Sequence, residues 1–288
     1  MVIIRVLICD GNAREDRASF TEYTGCTPSE HIAGLLLAMD NDIVIEIVFP
    51  ADPDPVRTLP LHLYDGILFT GSNSHIYDGQ PSTARQLDFA RKAFASGVPL
   101  FGICWGLQLA AAAAGGRVGP NRADYGICET PFAAGIQLTD AGTKHPMHKS
   151  RNLRFDEFSF HSDEVIELPQ GAVVTARNGK FIQAAEIKFD KSIFWGVQYH
   201  PELLGRDQAG YLRESAKSLV ADGTFDSLKN VEEIAALIEG YNHELDSPRL
   251  NQLCCGVDMT LFEYRPLELI NWLQHLVIPR AASDRAIG

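Results

Sequence analysis

The segment from Val98 to Gly116 constrains the fold of this chain more than any other stretch of its sequence. It reads VPLFGICWGLQLAAAAAGG: an apolar run, a turn that carries Cys104, and an alanine-rich run closed by two glycines. This order predicts a buried strand, a tight turn and a helix. Gly102 and Gly106 each lie two residues from Cys104, which is the spacing of a nucleophile elbow.

A thiol at such a turn faces the N-terminus of the helix. The backbone N–H groups and the positive end of the helix dipole stabilise a thiolate there. Cys104 is therefore a candidate nucleophile. Taken alone, the segment is equally compatible with a buried, inert cysteine.

The first half of the chain alternates predicted strands and helices. Strands are predicted over residues 2–9, 42–49 and 64–71, the last ending in a glycine turn, and helices over 31–39 and 81–96, the second capped by Ser82. The pattern predicts an α/β fold with an open, mostly parallel sheet flanked by helices. Ligands bind such sheets at the carboxyl ends of the strands, so the polar loop Thr70–Asp78 is a second candidate site element.

The pattern of apolar and polar residues changes after Gly119. Shorter apolar runs as far as Lys191 predict antiparallel strands added to the sheet, and helical spacing after Gly205 predicts helices over 206–221, 230–243 and 266–277. We therefore expect a catalytic domain at residues 1–204 and a helical C-terminal extension at 205–288. The apolar face of the last helix is expected to pack on the main domain or on a second subunit.

Another predicted strand ends in His200-Pro201-Glu202. Pro201 keeps His200 extended, and the one-residue gap lets the imidazole and the carboxylate of Glu202 serve one site. A thiolate nucleophile needs a base, and the base needs an orienting carboxylate. Cys104, His200 and Glu202 supply these three groups.

Composition excludes several classes of function. The net charge of −12 with no Lys/Arg cluster argues against nucleic acid as a partner, and no apolar run reaches the roughly 18 residues of a membrane span. Six cysteines without ligand spacing, and an N-terminus that resembles a strand rather than a secretory signal, favour a reducing cytoplasm. No metal site is expected at His145 and His148, and Cys254-Cys255 is expected to be structural.

Four segments together resemble the class I glutamine amidotransferases, especially the branch with a glutaminase domain like that of GMP synthetase. The resemblance runs from about Ile3 to Leu204, and its segments, in the order of the family, are Thr70-Gly-Ser-Asn-Ser-His-Ile-Tyr-Asp78, Gly102-Ile-Cys-Trp-Gly-Leu-Gln108, His161-Ser-Asp-Glu-Val165 and Gly196-Val-Gln-Tyr-His-Pro-Glu202. It implies a flavodoxin-like sheet and no cofactor. It also implies that Cys104 attacks the γ-carboxamide of glutamine, with His200 and Glu202 as its partners.

The resemblance implies roles for further residues. Backbone amides near Gly71, Ser72 and Trp105 are expected to receive the oxyanion. The side chains expected around the glutamate end of the substrate are those of Gln108, His161 and Asp163. Many members of the family have a Gly-Gly-Pro turn where this chain has Gly71-Ser-Asn-Ser. The choice of the two oxyanion amides is therefore left open.

Two functions fit these expectations. One is a free-standing hydrolase that acts on glutamine or on a γ-glutamyl amide with a bulkier amine; the other is a glutaminase subunit that supplies ammonia to a synthetase partner. No phosphate-binding glycine loop or synthetase domain is recognised after Leu204, so we do not expect the chain alone to activate an acceptor with ATP.

Two other functional interpretations are less compatible with the sequence. The complete Cys, His and Glu set argues against an inactive binding module, and the order of His200 and Glu202 is not that of a cysteine α/β-hydrolase. The amine leaving group, and whether the chain forms a homo-oligomer, are left open.

Overall fold

The computed structural model describes residues 3–54, 56, 59–122, 127–240 and 266–286, and a nine-stranded sheet forms its centre. The strands in chain order are β1 (Ile4–Cys9), β2 (Ile43–Val48), β3 (Gly66–Phe69), β4 (Leu100–Ile103), β5 (Arg117–Pro120), β6 (Phe132–Leu138), β7 (Arg154–Phe158), β8 (Asp163–Glu167), β9 (Val173–Arg177), β10 (Ile182–Phe189) and β11 (Ser192–Val197). The order across the sheet is β2-β1-β3-β4-β11-β10-β9-β6-β7, and β5 pairs with β8 in a separate sheet.

The first five strands across the sheet are parallel, and the other four continue it in antiparallel pairs. Strands β4 and β11 are neighbours in register, with Gly102 beside Gly196 and Ile103 beside Val197. The carboxyl ends of parallel strands share one edge. The segments that follow β3, β4 and β11 therefore meet at this edge, and they carry Gly71, Cys104 and His200.

Helices cover both faces of the sheet. They are α1 (Arg14–Thr24), α2 (Pro28–Met39), α3 (Pro81–Ala95), α4 (Trp105–Ala113), α5 (Gly205–Glu214), α6 (Ala216–Ala221) and α7 (Leu228–Glu239). A further helix, here named the C-terminal helix, comprises Leu267–Trp272, a π-helical turn Leu273–Val277, and Ile278–Ala286. The apolar side chains of α3 and α4 pack on one face, and those of α2 and the C-terminal helix pack on the other.

The C-terminal helix is anchored deep in the molecule. Trp272 is fully buried against the sheet, and a Cβ at Gly66 of β3 would lie 2.7 Å from its indole ring. Glu268 forms an ion pair with Arg151, with Oε2 2.7 Å from Nη2 and both side chains inaccessible to solvent. The expected packing of this helix on the main domain is confirmed. The predicted division between residues 204 and 205 stays a prediction.

Several local predictions were wrong. Ser82 does not cap α3, because the helix begins at Pro81 after the N-cap residue Gln80. The helix predicted over 206–221 is two helices that meet at Ser215. Helix α1 was not predicted, because it is largely polar and Arg17 and Phe20 are its only buried residues.

The predicted helix end at His243 and the pair Cys254-Cys255 lie outside the described residues. In the part of the chain that is described, no helix is both long enough and apolar enough to cross a membrane.

Candidate active site

Cys104 occupies a strained turn between β4 and α4. Its φ of 52° and ψ of −106° are unusual for a residue with a side chain, and its N–H donates to the carbonyl of Val197 at 2.8 Å. A Cβ at Gly102 would lie 2.6 Å from the carbonyl carbon of Gly106, and one at Gly106 would lie 2.5 Å from the carbonyl oxygen of Phe69. The two glycines therefore permit the close packing that places Cys104 at the edge of the sheet.

Polar groups surround the thiol. Cys104 Sγ lies 3.6 Å from the carbonyl oxygen of Phe160, and the Gln198 side-chain amide donates to it at 3.4 Å. Gly71 lies between the thiol and the imidazole of His200: a Cβ there would be 3.9 Å from Cys104 Cβ and 3.2 Å from His200 Cε1. The absence of a side chain at Gly71 thus keeps the space between the two candidate reacting groups open.

His200 and Glu202 form a buried pair. Nδ1 of His200 lies 2.7 Å from Oε1 of Glu202. Burial acts to lower the His200 pKa, but the negative charges of Glu202 and Cys104, with hydrogen bonds to both, outweigh it and raise the pKa to about 10. At neutral pH the imidazole is therefore a cation that can stabilise a thiolate and later donate a proton.

Three backbone amides are candidates for an oxyanion hole, those of Gly71, Ser72 and Trp105. None of the three donates to an acceptor within the described residues. Trp105 is the first residue of α4, where backbone N–H groups have no partner inside the helix. The arrangement is compatible with the predicted role of these amides.

The three residues expected at the glutamate end lie together. Gln108, His161 and Asp163 border, with Cys104, a cavity of about 370 Å³. The Gln108 amide donates to the Asp163 carbonyl oxygen at 3.0 Å, and His161 Nδ1 lies 2.9 Å from the same oxygen. His161 Nε2 lies 2.9 Å from Oε2 of Glu129. These contacts fix the side chains of Gln108 and His161 against the backbone of Asp163.

Two side chains of the loop after β3 contact the carboxylate of Asp163. Oδ2 lies 2.7 Å from Nδ1 of His75, and Oδ1 accepts a hydrogen bond from the Tyr77 hydroxyl at 2.8 Å. Partial burial and the Asp163 carboxylate raise the pKa of Tyr77, so its phenol stays protonated as the donor. No spacing rule links residues so far apart in the chain.

A second, smaller hollow adjoins the thiol on the His200 side. We name it the amine recess; its volume is about 30 Å³, and its lining includes Phe20, Phe160, His200, Tyr211 and Ser215. The contributions from α1 and α5 were not foreseen. Gln198 had a sequence signal, since it lies two residues before His200 on the same strand end.

His145 and His148 lie away from the thiol. His145 Nε2 is 3.1 Å from Glu186 Oε2, and His148 Nδ1 is 3.4 Å from Glu268 Oε1. Among the described residues, no group of three or more His, Cys, Asp or Glu side chains could hold a metal ion. The two histidines serve packing near the C-terminal helix.

Comparisons with known proteins show which sequences and folds this chain is similar to. The family model of glutamine amidotransferase class-I matches residues 41–218. A γ-glutamyl-L-1-hydroxyisopropylamide hydrolase from Pseudomonas sp is 59% identical over 279 residues, which are 96% of this chain and 95% of that protein. A glutamine-hydrolyzing GMP synthase from Clostridium novyi is 31% identical over 201 residues, which are 68% of this chain and 35% of the synthase. The crystal structure of a glutamine amidotransferase from Methylobacillus flagellatus shares the fold, with a TM-score of 0.63 at 18% identity over 96% of each chain.

Proposed function

The chain belongs to the class I glutamine amidotransferase family, and from this membership we propose that it hydrolyses γ-glutamyl amides with Cys104, His200 and Glu202 as its catalytic residues. The observation that carries the proposal is the Cys104 elbow, with its thiol at the edge of the sheet where the His200–Glu202 pair also lies. The 59% identity to a γ-glutamyl amide hydrolase supports the same reaction class.

The first half of the reaction forms a thioester. The Cys104 thiolate attacks the γ-carbonyl carbon, a C–S bond forms, and the carbonyl oxygen becomes an oxyanion. The Trp105 amide and an amide of Gly71 or Ser72 receive this charge, and each such donor contributes about 3 kcal/mol to transition-state stabilisation. The His200 imidazolium then protonates the amide nitrogen, the C–N bond breaks, and the amine departs.

The second half releases glutamate. Water attacks the thioester carbon while neutral His200 accepts a proton from it, and the C–S bond breaks to restore the Cys104 thiolate. Glu202 holds the imidazole in the required orientation and stabilises its cationic form. No cofactor enters this scheme, and both products are small molecules.

The free-standing hydrolase is the function we favour. The likeness to the hydrolase spans 95% of that protein, including residues beyond Leu204, whereas the match to the GMP synthase spans only 35% of the synthase. That partial match is the observation behind the second candidate, a glutaminase that supplies ammonia to a synthetase partner. The described cysteines are free thiols, which supports a reducing cytoplasm as the place of action.

Assays with the purified full chain test the proposal. We expect turnover of γ-glutamyl alkylamides without any partner protein, and loss of at least 10⁴-fold, to order of magnitude, in Cys104→Ala. A γ-glutamyl adduct on Cys104, detected by mass spectrometry after rapid acid quench, would identify the nucleophile. Cys26→Ala is the matched control, because this partly buried thiol does not border the cavity.

The outcomes separate the two candidates. Unchanged turnover in Cys104→Ala would contradict the mechanism. Activity on glutamine that depends on an added synthetase would instead support the second candidate.

A further inference from the structure

The two hollows beside Cys104 accommodate different ends of the substrate. The larger cavity contains Gln108, His161 and Asp163, and the amine recess contains His200. In the proposed reaction the departing nitrogen takes its proton from His200, so it must face the imidazole. The substituent on that nitrogen therefore points toward the amine recess.

One wall of the amine recess is aromatic, and the rest of its lining includes Asn12, Asn73 and Glu202. The ring of Tyr211 lies 4.9 Å from that of Phe20, 6.3 Å from that of Phe160 and 6.2 Å from the imidazole of His200, between ring centroids. Burial raises the pKa of the Tyr211 phenol, so this side chain remains neutral. The aromatic wall favours an uncharged, apolar group on the part of the substrate that faces it.

The size of the recess limits that group. Its volume of about 30 Å³ compares with the ~10–15 Å³ that one water molecule needs on the same measure, so a group of one or two heavy atoms fits. A methyl arm meets this limit, and a longer alkyl chain does not. A branched amine can place one short arm here while its other arm lies at the rim.

A hydrogen-bond acceptor lies at the rim of the amine recess, where the recess meets the larger cavity. Ser215 borders both hollows, and its hydroxyl donates to Oε2 of Glu214 at 2.7 Å. The other oxygen of Glu214 accepts from Ser19 at 2.9 Å, which fixes the carboxylate. Because the only proton of Ser215 Oγ is used, this oxygen can only accept from a ligand, and a ligand hydroxyl is a matching donor.

We propose that the amine recess and Ser215 are what selects γ-glutamyl amides of small, branched amino alcohols, the kind of amide that the name of the 59% identical hydrolase from Pseudomonas sp describes. The methyl arm of the amine packs against Phe20 and Tyr211, and its hydroxyl arm donates to Ser215 Oγ. This inference rests on the proposed hydrolase function of the same cavity. It assigns substrate selectivity to α1, to α5 and to the junction between α5 and α6, which carry none of the proposed catalytic residues.

The first experiment compares two amides that differ by one hydroxyl group. The kcat/KM of the full chain is measured for the γ-glutamyl amides of 2-aminopropan-1-ol and of isopropylamine. In Ser215→Ala the ratio of the first value to the second is expected to fall about fivefold, the effect of one neutral hydrogen bond. In Ser19→Ala, which removes the other serine donor to Glu214 without bordering either hollow, the wild-type ratio is expected to persist.

The second experiment changes the size of the recess. In Phe20→Leu, the kcat/KM for the γ-glutamyl amide of 2-aminobutane, relative to that of isopropylamine, is expected to rise severalfold. Phe132→Leu is the matched control, since this buried ring belongs to the same apolar cluster as Phe20 but does not border the recess. Thermal melts of both variants measure any loss of folding.

The outcomes distinguish this inference from the proposed function. If the wild-type chain hydrolyses no γ-glutamyl amide, the proposed function itself fails. If it hydrolyses them but Ser215→Ala leaves the hydroxyl ratio unchanged, the role of Ser215 is overturned. If Phe20→Leu and Phe132→Leu shift the size preference equally, the role of the recess is overturned.

Discussion

Nδ1 of His75 lies 2.7 Å from Oδ2 of Asp163, and this hydrogen bond joins the loop after β3 to the first residue of β8. Tyr77 donates to the second carboxylate oxygen, so two side chains of one loop hold Asp163. The rings of His75 and Tyr77 stack with centroids 5.4 Å apart. The carboxylate is thus a fixed part of the cavity lining before substrate arrives.

Removing this hydrogen bond is expected to weaken substrate binding. In His75→Ala the loop loses one of its two ties to Asp163, and we expect KM to rise about fivefold with little change in kcat, as for loss of one hydrogen bond. Steady-state kinetics of His75→Ala, Asp163→Asn and the double variant measure the coupling. Strictly additive effects on kcat/KM would contradict a shared role in binding.

The Glu202 carboxylate is expected to control both the rate and its pH dependence. Glu202→Gln keeps the shape of the side chain but removes the charge that stabilises the His200 cation, and we expect kcat to fall about 10⁴-fold. His200 remains protonated until the pH rises through about 10, so activity that needs the imidazolium is lost above that value. In Glu202→Gln the His200 pKa falls, and this loss moves to lower pH.

The profile of kcat/KM against pH measures this shift of the alkaline limb.

The raised pKa of His200 also makes the stability of the folded protein depend on pH. Because the folded pKa of His200 exceeds the ordinary 6.5, its contribution to stability is complete below 6.5 and is lost as the pH rises to about 10. An alkaline limb at the same pH in Glu202→Gln and in the wild type would contradict the pairing.

The buried ion pair of the C-terminal helix is expected to affect stability. Glu268→Gln leaves the charge of Arg151 with one partner fewer, and we expect the free energy of unfolding to fall by about 3–5 kcal/mol. Urea denaturation of Glu268→Gln and of the wild type measures this difference in the free energy of unfolding. Glu232→Gln is the control, since this exposed partner of Arg213 contributes less than about 1 kcal/mol.

Acid titration gives an independent check. Burial acts to raise the pKa of Glu268, but the charge of Arg151 and the hydrogen bonds of Arg151 and His148 outweigh it and lower the pKa to about 2. The stabilisation is therefore present above the ordinary value of 4.5 and is lost as the pH falls toward 2. The stability of Glu268→Gln should depend less on pH in this interval.

The sequence was most informative where chemistry follows from local order. Cys104 and His200 each follow a strand of the parallel sheet, and the rule that such strand ends share an edge was enough to bring them together. The turn at Cys104 could also be predicted from sequence, because its close packing requires Gly102 and Gly106, each two residues from Cys104.

Contacts between segments that are distant in the chain could not be predicted from the sequence in this way. Phe20 lies on a polar helix with little apolar periodicity, and Ser215 lies where a predicted single helix is in fact two. The partnership of His75 with Asp163 arises only when the loop after β3 folds against β8. These contacts depend on tertiary packing, which residue spacing does not encode.

The burial of Trp272 beside Gly66 has a consequence for biosynthesis. The face of the sheet that Trp272 covers includes β1 and β3, which leave the ribosome while nearly all of the intervening chain is still to be made. Until the C-terminal helix emerges, that face is an exposed apolar surface on a nascent chain, and such surfaces aggregate or recruit chaperones. Elements synthesised long after β1 and β3 thus complete the core around these strands, so a ribosome stalled before residue 267 would hold an incompletely folded enzyme.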